Sequence, residues 1–271
     1  MENIQVENIE VKNLTNVRFA FGHKARSGKD HAIETVKALV HKADASGTVH
    51  VIRLSEPVYR IGSVIQSSLH RAFNVDSKTV DISLRHIAIV ISGEIEDILK
   101  VNGVDVNYRV QSAVFEWLRG TVFKNAITKG LGEYGSPCPK LPWLLQAIGE
   151  DFRTLIDEDI WANIATRKIL ELLTRDHNAN ICIPDLRYKN EAVIFRKLNF
   201  TLIDINRPSR PIDRDPNHKS ETDLDGYAFD FIIDNVGTVE EYDQKIMRLC
   251  SQHYYNTLIK LDPNSVVSRR L

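Results

Sequence analysis

The sequence predicts an α/β protein, a parallel sheet covered by helices on both faces, on three observations. Short β-branched runs alternate with amphipathic helical stretches. Five such runs can be placed, with a large helical insertion between the second and the third. A small polar loop containing glycine follows the first run and opens a helix. With 271 residues, 43% hydrophobic and 26% charged, the composition is that of a folded protein. A chain of this length buries roughly three quarters of its unfolded surface, enough for one α/β domain carrying an insertion.

Val17-Arg18-Phe19-Ala20-Phe21 reads as the first strand. From Lys29 the apolar positions Ile33, Val36, Ala38, Leu39 and Val40 recur at helical spacing, and Val49 to Leu54 is the second strand. Ser55-Glu56-Pro57 is a helix start, since serine caps free amides and proline fits the first turn; Val58, Ile61, Val64, Ile65 and Leu69 form its stripe. Further helices are expected at about Ser83–Lys100, Val110–Lys129, Leu141–Ile156 and Asp159–Thr174, so the insertion runs over about 56–175. Asn102-Gly103 and the Gly130 to Pro139 stretch punctuate it. Strands resume at Ala179–Ile183, Phe200–Ile205 and Phe231–Ile233, with a helix at about Asn190–Leu198 between the first two. The polar stretch Arg207 to Tyr227 is long for a connection inside a domain, and such segments are more often lids or binding loops. A helix over Val239–Leu249 closes the pattern.

Lys+Arg at 35 nearly cancels Asp+Glu at 36, for a net charge of -1. No global field would hold this protein on nucleic acid or an anionic membrane, so any anion site is local. Cys138, Cys182 and Cys250 are scattered without CxxC spacing, which fits neither a disulfide scaffold nor a zinc knuckle and points to a reducing cytoplasm. Met1 to Asn16 lacks a basic and then apolar leader, and the longest apolar stretches are strand-sized, so neither secretion nor membrane spanning is expected.

Gly22-His23-Lys24-Ala25-Arg26-Ser27-Gly28-Lys29-Asp30, after a strand and opening a helix, has the setting of a phosphate-binding P-loop. Backbone amides and the helix N-terminus cradle phosphates there, and Lys29 neutralises the transferring group. In the G-x-x-x-x-G-K-[ST] pattern the first glycine falls on His23, with Gly22 one place early, and the hydroxyl position carries Asp30. An Asp can still hold Mg²⁺ directly or through water. The histidine predicts an altered loop geometry.

Asp185 ends an apolar strand, where a parallel sheet presents its Mg²⁺-orienting carboxylate, and Arg187 follows as a phosphate clamp. Asp185 taken alone also suits a helix cap. Arg207 and Arg210 in the polar stretch suit a loop that closes over phosphates, while Arg214 reads equally as a solvated charge. Asp234-Asn235-Val236-Gly237 is a turn able to present amides to a nucleobase, a weak signal by itself. In the insertion, Leu144, Leu145, Ile148, Phe152 and Trp161 should be core, leaving Gln146 and Arg153 as candidate substrate contacts.

Together these segments resemble the deoxynucleoside monophosphate kinase family of bacteriophages, a branch of the P-loop kinases. The resemblance rests on Lys24 to Asp30, the Leu-Leu-Gln-x-Ile-Gly segment ending near Arg153, Asp185-x-Arg187-x-x-Asn190-Glu191, Arg207-Pro208, His218-Lys219-Ser220-Glu221 and Asp234-Asn235-x-Gly237. It implies a three-layer α/β/α sheet of order 2-3-1-4-5 and a cytoplasmic, phage-encoded enzyme that passes the ATP γ-phosphate to a deoxynucleoside monophosphate. By position it implies that Lys24, Ala25, Arg26, Ser27, Gly28 and Lys29 bind ATP phosphates and that Asp30 and Asp185 hold Mg²⁺. Arg153, Arg187, Arg207 and Arg210 would bind the acceptor phosphate or steady the transferring group, and Asn235 would lie near adenine. Lys140 stands where relatives tend to have Arg. Family members are often dimeric, and small molecules, with neither nucleic acid nor membrane, are the expected partners. The rival readings are a kinase for another acceptor such as dephospho-CoA, and a catalytically silent nucleotide-binding module.

Overall fold

Buried Leu14 and Val17 lead the chain into β1 (Arg18–Gly22), the middle of a five-stranded sheet in the computed structural model. The structure describes residues 14–73, 80–133, 140–209, 211 and 215–261. The other strands are β2 (Val49–Val51), β3 (Asn180–Ile183), β4 (Thr201–Asn206) and β5 (Phe231–Asp234). All pair in parallel, in the order β2-β3-β1-β4-β5, which is the order 2-3-1-4-5 that the resemblance implied. The register sets Ala20 beside Ile183 and Leu202, and Gly22 beside Asp204. Every residue of β3 is buried, as a strand covered on both faces requires. At the strand starts, Asn180 accepts from the Val17 amide at 2.9 Å and donates to the Thr48 carbonyl at 3.2 Å, clipping three strands together.

The chain divides into two units, one of residues 1–53 and 168–271, the other of residues 54–167. In the sheet unit, α1 (Lys29–Ala43) and α10 (Val239–Leu261) supply Ile33, Val36, Val40, Tyr242, Ile246 and Leu249 to a core with Phe19, Phe21, Cys182, Ile203 and Ile205. Burying each large apolar side chain of this set contributes about 1.5–3 kcal/mol. Alternation turns Ala20, Ile181, Ile183 and Leu202 to the opposite face, and α8 (Lys189–Lys197) buries Ala192 and Phe195. Phe195 meets Phe200 edge-on at 5.7 Å. Cys182 and Cys250 are buried free thiols, both pushed up by burial, Cys250 to about 12. Cys138 lies outside the described residues.

The helical unit contains α2 (Glu56–Phe73), α3 (Val80–Val101), α4 (Tyr108–Trp117), a π-helical turn (Leu118–Val122), α5 (Phe123–Lys129) and α6 (Pro142–Leu155). The unit boundary falls within α7 (Ile160–Arg175). Asn107 caps α4 by accepting from the Val110 amide, and Pro142 occupies the first turn of α6. Fully buried Phe152 lies between Trp117, edge-on at 5.0 Å, and Trp161, stacked at 5.9 Å. Both indole N–H groups are satisfied, Trp117 by Asp151 at 2.6 Å and Trp161 by the Gly149 carbonyl at 2.9 Å. No helix among the described residues is long and apolar enough to cross a membrane.

Three expected elements differ. β2 ends at Val51, short of Leu54: Ile52 still donates to the Cys182 carbonyl at 3.0 Å, but by Glu56 the chain has turned into α2. The Arg207–Tyr227 stretch contains a short helix, α9 (Lys219–Thr222), capped by His218. Finally, α10 continues to Leu261, past the end at Leu249 that periodicity suggested.

Candidate functional site

The loop between β1 and α1 turns through two left-handed residues, Arg26 (φ 55°) and Gly28 (φ 106°). A Cβ at Gly28 would lie 2.4 Å from Asn235 Nδ2, so glycine is needed there for conformation and for space. Lys29 opens α1 and is buried; its ammonium donates to the Lys24 carbonyl and, at 3.2 Å, to Ser27 Oγ. Burial, and then the charge of Arg187, lowers the Lys29 pKa to about 7, against the opposing pull of Glu221, Asp185 and Asp30. The carboxylates of Asp185 and Asp30 are thus close enough to act on Lys29. Asp30 also pairs with Arg53 at 2.7 Å, and Asp185 follows β3 at the carboxyl edge of the sheet.

Arg187 reaches the same loop. Its Nη1 donates to the His23 carbonyl and to Glu221 Oε1, the latter at 2.7 Å. Glu191, in the first turn of α8, accepts from the Arg187 and Tyr188 amides at 2.8 and 3.1 Å, fixing the backbone that bears the guanidinium. The Arg207 Nη1 lies 3.5 Å from the Arg26 carbonyl. Arg210, and Arg214 with it, lies outside the described residues. The Asn235 side chain donates to the Ser27 carbonyl at 2.7 Å, and the Tyr242 hydroxyl to the Gly28 carbonyl at 3.2 Å. Those two groups hold the loop from the β5 side. Burial pushes the Tyr242 hydroxyl up, so it stays a donor.

His23, in the first-glycine position, is 5% exposed. Its ring bridges two carboxylates, Nδ1 to Asp204 Oδ1 at 3.0 Å and Nε2 to Asp225 Oδ1 at 2.9 Å, and stacks on Phe229 at 6.0 Å. The left-handed turns fall elsewhere in the loop, so residue 23 can carry a side chain. Lys24 also binds Asp225, and donates to the Glu221 carbonyl at 2.7 Å. Burial tends to raise the Asp225 carboxyl, but its bonds from Lys24 and His23 outweigh that and hold it low.

The sheet unit thus gathers Lys24 to Lys29, Arg187, Arg207 and Asn235 around one loop. Gln146 and Arg153 belong to the helical unit, on α6, where Arg153 donates to the Glu158 carbonyl at 2.9 Å. Sequence reasoning assigned no role to Asp204, Glu221, Asp225 or Phe229. Glu221 stood in a quoted motif, yet nothing local marks a carboxylate that reaches back some two hundred positions.

Comparison with known proteins bears on residues well beyond that loop. The profile of the family described as deoxynucleotide monophosphate kinase matches residues 141–246, which include Arg153, Asp185, Arg187, Arg207 and Asn235. A protein of Acanthamoeba polyphaga mimivirus, provisionally named deoxynucleotide monophosphate kinase, is 31% identical over 113 residues, 38% of this chain. The match spans 58% of that relative's length.

Proposed function

We propose that the chain is a member of the deoxynucleotide monophosphate kinase family, a reading that both matches support, and that it transfers the γ-phosphate of ATP to a deoxynucleoside monophosphate. The observation that carries this reading is Lys29, a buried ammonium at the head of α1, under a loop that Arg187 also touches. A buried cation with its charge disfavoured is strongly poised to accept an anionic partner.

An oxygen of the acceptor phosphate forms a bond to the γ-phosphorus. The bond from that phosphorus to the β,γ-bridging oxygen breaks, and its electron pair leaves with ADP. The acceptor is already an anionic nucleophile, so positioning and charge neutralisation dominate and no general base is required. In this reading the Lys24 to Gly28 loop and Lys29 bind the ATP phosphates, and Arg187 and Arg207 bear on the transferring group or the acceptor phosphate. Asn235 steadies the loop on the side where adenine is expected. Arg210 completes the arginine set, and Gln146 and Arg153 contact the acceptor.

Asp30 and Asp185 suit Mg²⁺ by donor chemistry, since that ion takes one or two carboxylates and fills its remaining positions with water and phosphate oxygens. When bound, the ion neutralises charge on the β- and γ-phosphate oxygens. Asp30 would have to release or share Arg53 to serve it.

The test is ADP release from Mg·ATP with each of the four deoxynucleoside monophosphates, the corresponding ribonucleotides and dephospho-CoA, in wild type and Lys29→Ala. Release that needs a deoxynucleotide and disappears in the variant supports the reading. A wild type that binds ATP but is stimulated by no acceptor overturns it.

A further inference from the structure

Glu221 has 0% exposure, although it is a carboxylate. A charge so placed is tolerated only when its partners satisfy it, and its two oxygens point to different parts of the site. Oε2 accepts from the Ala25 amide in the phosphate loop at 3.0 Å, and Oε1 accepts from Arg187 Nη1 at 2.7 Å. Its own carbonyl takes the Lys24 ammonium at 2.7 Å. Four positions on, Asp225 binds His23 and Lys24, and between them Asp223 accepts from the Lys189 amide at 2.8 Å, in the first turn of α8. The 218–225 segment therefore braces both the phosphate loop and the helix that follows Arg187.

We propose that Glu221 is a positioning residue, which locks the Arg187 guanidinium and the phosphate loop into one arrangement for phosphate recognition. The inference rests on the kinase reading for what is recognised, but not for the bracing itself. Both hydrogen bonds of the Arg187 side chain use Nη1, so Nη2 and Nε have no hydrogen-bond partner among the described residues, and the side chain keeps 18% of its exposure. A guanidinium pinned by one nitrogen presents its other edge as a fork with its rotamer already chosen, which is what bidentate phosphate binding requires. Without the carboxylate the cation would be free to swing, and the ordering would have to come from the ligand.

Glu221→Gln isolates this role. Glutamine keeps an oxygen for the Ala25 amide but faces Arg187 with an uncharged group. Calorimetry of Mg·ATP and of each deoxynucleoside monophosphate would be run on wild type, Glu221→Gln, Arg187→Ala and the double variant, with ADP release measured in parallel. Glu221→Gln is expected to weaken ATP or acceptor binding at least tenfold. In the Arg187→Ala background the same replacement should cost less than threefold, because the group it acts through is gone. Equal losses in both backgrounds, or wild-type affinity in Glu221→Gln, overturn the proposal. If Glu221→Gln fails to fold by circular dichroism, Glu221→Asp enters the same cycle: it keeps the charge but is too short to span both partners, so the same non-additivity is expected. A wild type that binds both nucleotides without ADP release overturns the kinase reading while the binding cycle still judges Glu221. A wild type that binds neither overturns both.

Discussion

Lys29 should make the folded protein's stability depend on pH in a window set by burial. Its pKa falls from the ordinary 10.5 to about 7, a difference worth about 5 kcal/mol at 1.36 kcal/mol per pH unit. Between those values the unfolded chain holds a proton on Lys29 that the folded protein has given up. Stability therefore rises with pH across the window, by at most about 1.4 kcal/mol per pH unit, and the penalty is fully present below pH 7. From pH 7 to pH 9 the gain is about 2 kcal/mol. Lys29→Met fills similar space without a charge, so its stability should lack this component. The assay is urea unfolding of the unliganded proteins at pH 7, 8 and 9, followed by far-UV circular dichroism. Tryptophan fluorescence would not serve, because Trp117, Trp143 and Trp161 all lie in the helical unit. If wild type and Lys29→Met gain equally with pH, the lysine is not held neutral by its surroundings and the electrostatic reading of the loop is wrong.

The same titration reverses on nucleotide binding: phosphates favour charged Lys29, so ATP affinity should fall as pH rises above about 7, approaching tenfold per pH unit. Calorimetry in buffers of different ionisation enthalpy would show the accompanying proton uptake. Gly28→Ala combines the left-handed φ with a Cβ 2.4 Å from Asn235 Nδ2; the backbone part alone costs about 1–2 kcal/mol, read as a lowered Tm with weaker ATP binding. Phe152→Ala should cost about 3–5 kcal/mol of helical-unit stability, measured by the tryptophan fluorescence that reports that unit. His23→Gly restores the first glycine of the P-loop pattern yet removes the partner of Asp204 and Asp225. It should lower the Tm without tightening ATP binding, and a variant that binds ATP more tightly would refute the bracing role of the histidine.

What the sequence revealed of this fold was whatever repeats at short range. Phe19 and Phe21 alternate within a strand, and Ile33, Val36 and Val40 recur on a helix, so β1 and α1 could be located within a residue or so. Asp185 and Arg187 were legible because a strand end and a short loop place them locally. Glu221 and Asp225 were not, since their significance lies in contacts with Ala25, Lys24 and His23 across 196 to 202 positions. Periodicity carries no information on such pairs. β2 was overread because Ile52 and Leu54 extend its apolar pattern, although both are buried after the strand ends.

His23 shows how a departure from a local motif can be compensated by long-range contacts. Glycine at the start of a P-loop supplies conformational freedom and room for the backbone. Here the left-handed turns sit at Arg26 and Gly28, and the room is kept at Gly22, where a Cβ would come within 2.8 Å of the Phe229 ring. That close approach lets Phe229 stack on His23, and it brings the imidazole between Asp204 of β4 and Asp225 of the bracing segment. Asn235 and Tyr242 hold the opposite side of the loop through the Ser27 and Gly28 carbonyls. The shape of the loop is thus set by side chains from both flanks, and the entropy of a first glycine is not needed to reach it. The acids that provide this support also draw on Lys24 and Arg187, so a bound phosphate has to compete with Asp225 and Glu221 for charge. Such a site gives up some Coulombic attraction for an anion but gains cations whose directions are already fixed, which more than offsets that loss by sparing the ligand their ordering and serves a transfer that depends on alignment.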